Sequence, residues 1–170
     1  MLVGLPGAGK STLAPLLAAR LGVAAVDLDA RIADTEGRPV ARIIRESGLA
    51  AFRALERRAT EALRHEPPAV VAPGGGWITQ PDLVALVRPP GRLVHLHVSP
   101  ATALARMGPS RAERPLLSGD DPLGALEALA ASRADAYARA DARVDTELLS
   151  WQALVEHVTA LASAWGVGVG

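Results

Sequence analysis

Gly4-Leu5-Pro6-Gly7-Ala8-Gly9-Lys10-Ser11-Thr12 is the stretch from which the fold of this chain can be read. It satisfies G-x-x-x-x-G-K-[ST] at every fixed position, the pattern of a loop that wraps phosphate groups. The apolar run Met1 to Val3 precedes it, and Leu13, Leu16, Leu17 and Leu21 follow at helical spacing with Gly22 as a stop, so the loop lies between a strand and a helix. Glycines let backbone N–H groups close around phosphate oxygens, and the helix N-terminus adds partial positive charge. Gly7, Ala8, Gly9, Lys10, Ser11 and Thr12 are therefore candidate nucleotide contacts, with Lys10 for the terminal phosphates and the Ser11 hydroxyl for Mg²⁺. The alternative is a glycine-rich turn that only caps a helix. Composition speaks against it: the chain has 18 Lys+Arg residues, and Lys10 is its single lysine. A compact ammonium in a tight loop cannot be replaced by arginine's planar fork.

The length of 170 residues suits one domain, expected over 1–170. An apolar fraction of 49% fits a globular core, and a formal net charge of +0 gives no reason to expect a nucleic-acid or membrane partner. Aromatic residues make up 3%, too few for a base-stacking surface. With no cysteine there is no disulfide and no thiolate metal site. A cytoplasmic monomer acting on a small molecule is expected. Only three residues precede Gly4, fewer than a strand feeding such a loop usually has, so the first strand is expected to be incomplete and the natural chain to extend upstream of Met1.

Outward from the loop, strands and helices alternate. Pro15 falls inside the first helix, close enough to its start to kink it and not break it. Val23 to Val26 reads as a strand ending in Asp27-Leu28-Asp29, and residues two apart on an extended chain face one side, so both carboxylates can point into one cleft. Arg38 to Glu46 and Leu49 to Arg64 read as helices divided by Gly48. Ala69 to Ala72 is a strand that runs into Gly74-Gly75-Gly76, a run best explained by close approach of a ligand or another backbone. Pro81 opens a helix to Val87, Arg92 to Val98 is a strand, and Pro100 opens a helix to about Met107. Residues 108–122, rich in Gly, Pro, Ser, Asp and Arg, read as a mobile surface loop. An alanine-rich helix to about Ala142, a strand at Arg143 to Asp145 and a closing helix capped by Ser150, with Trp151, Leu154, Val155, Val158, Leu161, Ala162 and Trp165 as its buried stripe, complete the chain. This alternation predicts an α/β domain with a largely parallel sheet, whose ligands bind beyond the carboxyl ends of the strands. The phosphate loop, the Asp27/Asp29 pair and the glycine triplet all lie at such ends.

Phe52-Arg53-x-x-Glu56, Arg114-Pro115-Leu116-Leu117, Arg133-x-x-x-Tyr137 and Arg143-Val144-Asp145-Thr146 fall in order around these three features. Together the strings resemble the shikimate kinase family over nearly the whole chain. The resemblance implies an α/β P-loop three-layer sandwich like that of nucleoside monophosphate kinases. It has a five-stranded parallel sheet in the order 2-3-1-4-5, acceptor-binding helices over about 31–64 and a lid over about 108–122. It implies ATP-dependent phosphorylation of the 3-hydroxyl of shikimate with Mg²⁺. By position, Asp27 would join the Mg²⁺ shell beside Ser11, Asp29 would hydrogen-bond the accepting hydroxyl, and Arg53 and Arg133 would grip the substrate carboxylate. Gly74, Gly75 and Gly76 would line the same pocket. Arg114 would reach the transferring phosphates, and Arg106 would lie close to the arginine that packs on adenine. The residues themselves agree, since a carboxylate suits a bidentate guanidinium and phosphoryl transfer needs positioned positive charge.

Each residue also has an ordinary reading. Asp27 and Asp29 could be a solvated loop, Arg53 a surface ion pair with Glu56, Arg133 one charge on a solvated helix face, and the glycines a tight turn. His95 and His97 point to one side of a strand, but with no third ligand in sight they read as packing or surface histidines. Two departures from the family pattern lie on the acceptor side: Leu49 where an acid commonly follows the glycine, and bulky Trp77 after the triplet. They keep open a kinase for another hydroxy acid, polyol or antibiotic hydroxyl. A nucleotide-binding module without transfer activity is the reading from a different class, disfavoured by intact Lys10, Ser11, Asp27 and Asp29.

Overall fold

The computed structural model describes residues 1–108, 117 and 119–167. Strand β1 (Leu2–Val3) leads into the loop, and helix α1 (Lys10–Leu21) begins at its end. The N-cap of α1 is Gly9, with φ 92°, a left-handed conformation that favours glycine. The helix runs unbroken through Pro15 and ends at Gly22. Strand β2 (Ala24–Asp27), helix α2 (Leu28–Glu36) and helix α3 (Val40–Ala62) follow. Helical geometry is interrupted inside α3 at Gly48, φ 84° and ψ 163°, where the sequence separates two helices.

Strand β3 (Ala69–Ala72), a 3-10 turn at Trp77–Thr79, helix α4 (Pro81–Val87), strand β4 (Val94–His97) and helix α5 (Pro100–Met107) come next. Helix α6 (Pro122–Ala138), strand β5 (Ala142–Asp145) and helix α7 (Trp151–Ala164) close the order. Local chemistry sets several of these starts. Ser99 Oγ accepts from Thr102 N at 3.3 Å, and Ser150 Oγ accepts from Ala153 N at 3.2 Å. Asp121 Oδ1 accepts from Gly124 N at 2.8 Å, so α5, α7 and α6 each open on a side-chain cap.

All strand pairings are parallel, as the alternating order requires. The expected single five-stranded sheet is not what the ladders form. They give a three-stranded sheet in the order β1-β4-β5 and a two-stranded sheet β2-β3. The reason lies in β1, whose two residues pair Leu2 with Val94 and Val3 with His95 and offer little backbone for a second ladder. β1 nevertheless lies beside β3.

β4 lies within Leu93 to Val98, all buried apart from His97, as expected of a strand covered on both faces. Leu13, Leu28, Leu96, Leu126 and Leu154 are all at most 1% exposed. Each such burial stabilises the fold by about 1.5–3 kcal/mol. α1 packs against β2, β3 and α7, so the helix that carries the phosphate loop is anchored on three sides. Near the carboxyl terminus, half-buried Trp165 holds the Arg92 guanidinium 5.9 Å from its ring centroid.

Candidate active site

A cavity of about 610 Å³ opens at the carboxyl ends of the strands. The phosphate loop forms one wall through Gly7, Gly9, Lys10, Ser11 and Thr12. Lys10 Nζ donates to Gly4 O at 2.9 Å and Leu5 O at 3.0 Å, which holds its charge over the loop. Ala8 is fully buried and its N–H is engaged with Leu5 O at 3.1 Å, so the structure places it beneath the loop and apart from the cavity surface.

Asp27 and Asp29 both line this cavity, by a route other than the extended pair expected from sequence. Asp27 ends β2 and caps α2, with Oδ1 accepting from Ala30 N at 3.1 Å, while Asp29 already belongs to the first turn of that helix. Asp27 Oδ2 accepts from the Ser11 hydroxyl at 2.7 Å. A hydroxyl and a carboxylate in contact at the loop's end are hard oxygen donors of the kind Mg²⁺ takes, so this pair fits the ion.

Each glycine after β3 lies against one polar side chain. A methyl group on Gly74 would lie 2.8 Å from Asp29 Oδ1, one on Gly75 would lie 3.0 Å from Arg133 Nη1, and one on Gly76 would collide with Arg53 Nη2. The missing side chains are what let a carboxylate and two guanidinium groups, from α2, α6 and α3, converge on one backbone turn. Arg133 is 8% exposed, and its Nη1 has no hydrogen-bond partner among the described residues. A solvated helix face is thus not its position. Arg53 does pair with Glu56 through Nη1, and the pair is buried at its carboxylate end, with Glu56 0% exposed, while the Arg53 side chain stays 30% exposed.

Two aromatic groups stand behind this wall. His95 stacks on Tyr137 with ring centroids 4.3 Å apart, and Tyr137 follows Arg133 by one turn. Burial, then the nearby charges of His97, Arg143 and Lys10, push the His95 pKa down from 6.5 to about 4. Burial raises the Tyr137 pKa against the opposing pull of Arg133.

The far side of the cavity holds residues that sequence reasoning weighed differently. Arg106 lines it and is pinned by Thr146, with Nη1 donating to Oγ1 and Nη2 to the carbonyl, both at 2.7 Å. Trp151, assigned by periodicity to the buried stripe of α7, is 40% exposed and lines the cavity with its ring over Gly9. It is the first residue after the Ser150 cap, where a helical stripe has not yet settled onto the core. Leu49 is 54% exposed and lies outside the cavity lining, and Trp77 is fully buried. Arg53, Arg133 and Gly76 likewise stand outside that lining, and it is the glycine turn that brings the two guanidinium groups to its edge.

His97, Asp145 and Glu147 do come together, their ligand-type atoms within 4.8 Å of one another, so a third group was hidden from the sequence. Their atoms are already engaged: His97 Nδ1 lies 3.1 Å from Asp145 Oδ2, Asp145 Oδ1 accepts from Glu147 N, and Glu147 accepts from Ser99 N and Oγ. The cluster ties β4 and β5 to the start of α5. Arg114 and most of the expected lid lie outside the described residues.

Parallel strands, a phosphate loop at the start of α1 and a ligand cleft at the strand ends define an α/β P-loop protein. The family model for shikimate kinase matches residues 6–162. The chain belongs to the shikimate kinase family. It is 42% identical over 146 residues to a shikimate kinase of Geobacter sulfurreducens, covering 86% of this chain and 80% of that one. A shikimate kinase of Synechococcus sp. is 39% identical, with 86% and 74% covered. Among solved structures, shikimate kinase from Acinetobacter baumannii in complex with shikimate matches with a TM-score of 0.89 at 29% identity, covering 96% of this chain and 91% of that chain.

Proposed function

We propose that this protein transfers the terminal phosphoryl group of ATP to the 3-hydroxyl of shikimate. The observation that carries the reading is the glycine turn beside the phosphate loop, on which Asp29, Arg133 and Arg53 converge. One carboxylate can take or orient a hydroxyl proton, and two guanidinium groups can hold a carboxylate through paired hydrogen bonds. Asp29 orients the accepting hydroxyl toward the phosphate loop. Arg53 and Arg133 bind the substrate carboxylate, which fixes the ring and selects one hydroxyl by distance.

Gly7, Gly9, Lys10 and Thr12 hold the phosphates, and Lys10 stabilises the charge that spreads over the transferring group. Ser11 and Asp27 would hold Mg²⁺, which would supply positive charge to offset that of the phosphates. Arg106, fixed by Thr146, and Trp151 bracket the space left for the base. Arg114 brings a further positive charge. The two ladders are read as one five-stranded sheet in the order 2-3-1-4-5, because β1 lies between β3 and β4, and residues 1–170 as one cytoplasmic domain.

Leu49, exposed, and Trp77, fully buried, leave a kinase for another hydroxy acid, polyol or antibiotic hydroxyl as the second reading, which an acceptor panel decides. A coupled ADP-release assay with ATP, Mg²⁺ and a panel of hydroxy acids tests the proposal. Shikimate is expected to stand alone in the panel. No shikimate-dependent ADP above background would end it, and ATP binding without turnover on any acceptor would leave a nucleotide-binding module.

A further inference from the structure

Past the glycine triplet the chain makes the 3-10 turn Trp77–Thr79 and reaches Gln80 before α4 begins. Two side chains of this segment cross to α3. The indole Nε1–H of Trp77 donates to Thr60 Oγ1 at 3.0 Å, and the Thr60 hydroxyl donates onward to the Glu56 carbonyl at 2.7 Å. Gln80 Nε2 donates to Glu56 Oε2 at 3.0 Å, the same oxygen that takes Arg53 Nη1. A carboxylate can only accept, so the amide presents its nitrogen.

The geometry points to Gln80 and Trp77 as positioning residues for Arg53. This rests on the acceptor reading above and adds to it what holds the arginine still. Arg53 is confined between the Glu56 carboxylate and the Gly76 backbone. Gln80 fixes the rotation of that carboxylate. Trp77, the next residue after Gly76, fastens the glycine turn to α3 one helical turn beyond Glu56. Leucine and phenylalanine could fill these positions but could not set the register, because only paired polar atoms in an interior select one arrangement among several well-packed ones. A guanidinium that must meet a carboxylate with two parallel bonds is sensitive to such drift. The effect therefore belongs to acceptor binding, separate from the nucleotide and from phosphoryl transfer.

Steady-state kinetics of the full chain, with shikimate and ATP varied separately, test this. Gln80→Leu and Trp77→Phe should each raise the shikimate KM about five- to tenfold and leave kcat and the ATP KM within about twofold. In an Arg53→Ala background Gln80→Leu should add nothing further, since it acts through that arginine. Gln80→Glu supplies a pH signature. Two carboxylates then share the site and the lost donor returns only as one takes up a proton, so its shikimate KM, relative to wild type at the same pH, should fall as pH is lowered. Additive losses in the double variant, or equal rises in both KM values, would overturn the assignment. A wild-type protein with no shikimate-dependent ADP release would instead remove the acceptor reading, and this inference with it, before any variant is compared.

Discussion

At Lys10 the side chain donates to Gly4 O and Leu5 O, which holds it in place at the loop. Lys10→Ala should cut kcat by about 10²–10³ while thermal unfolding stays close to wild type, because what is lost is preorganised charge and not core packing. A large fall in melting temperature would mean the lysine is structural. This residue was legible in the sequence because the loop pattern specifies type and position together. Trp151 was not, since its spacing from Leu154, Val155 and Val158 is that of a buried stripe and nothing local says that the first turn overhangs the loop. Trp151→Ala should raise the ATP KM about tenfold, the order expected for one base stacked on one aromatic ring, and leave the shikimate KM unchanged. A shift in the shikimate KM instead would remove Trp151 from the nucleotide side.

The elements were read well where periodicity is long and poorly where one short segment serves two roles. The α7 cap, the break at Gly48 and the start of α4 at Pro81 all follow from local chemistry and are found where the sequence puts them. Asp-x-Asp, by contrast, is compatible with a strand that continues and with a helix that begins. The bond from Ala30 N to Asp27 Oδ1 decides for the helix, and no spacing rule could have chosen. The glycine triplet was legible as a close approach, but not which side chain approaches which residue. Gly76→Ala tests that assignment. The added methyl displaces Arg53 and should raise the shikimate KM at least about tenfold at unchanged ATP KM, whereas Gly74→Ala presses on Asp29 and should lower kcat instead. Identical kinetic effects from the two would dissolve the one-to-one pairing.

Across the whole molecule, acid sensitivity has an identifiable source. His95 is held neutral in the fold with its pKa lowered from 6.5 to about 4, so in that window the unfolded chain binds a proton that the folded one refuses. Stability therefore falls as pH drops from 6.5 toward 4 and gains no further loss from this group below that. Replacing the ring by one that stacks without titrating, His95→Phe, should flatten the melting temperature across the window. The separate acid limb below the ordinary carboxylate value of 3.8, where Asp141 loses its bonds to Leu93 N, Arg88 and Arg92, should remain. An unchanged slope in the variant would exclude His95 as the cause. The three tryptophans give the same molecule a built-in optical readout. Trp77, sealed from water, should emit toward the blue, whereas Trp151 at the lip of the loop should emit toward the red and half-buried Trp165, away from the loop, between them. Titration with ADP should dim only the red edge of the spectrum, so that occupancy of the loop can be followed by light from the unlabelled protein while the blue edge reports that the fold is intact.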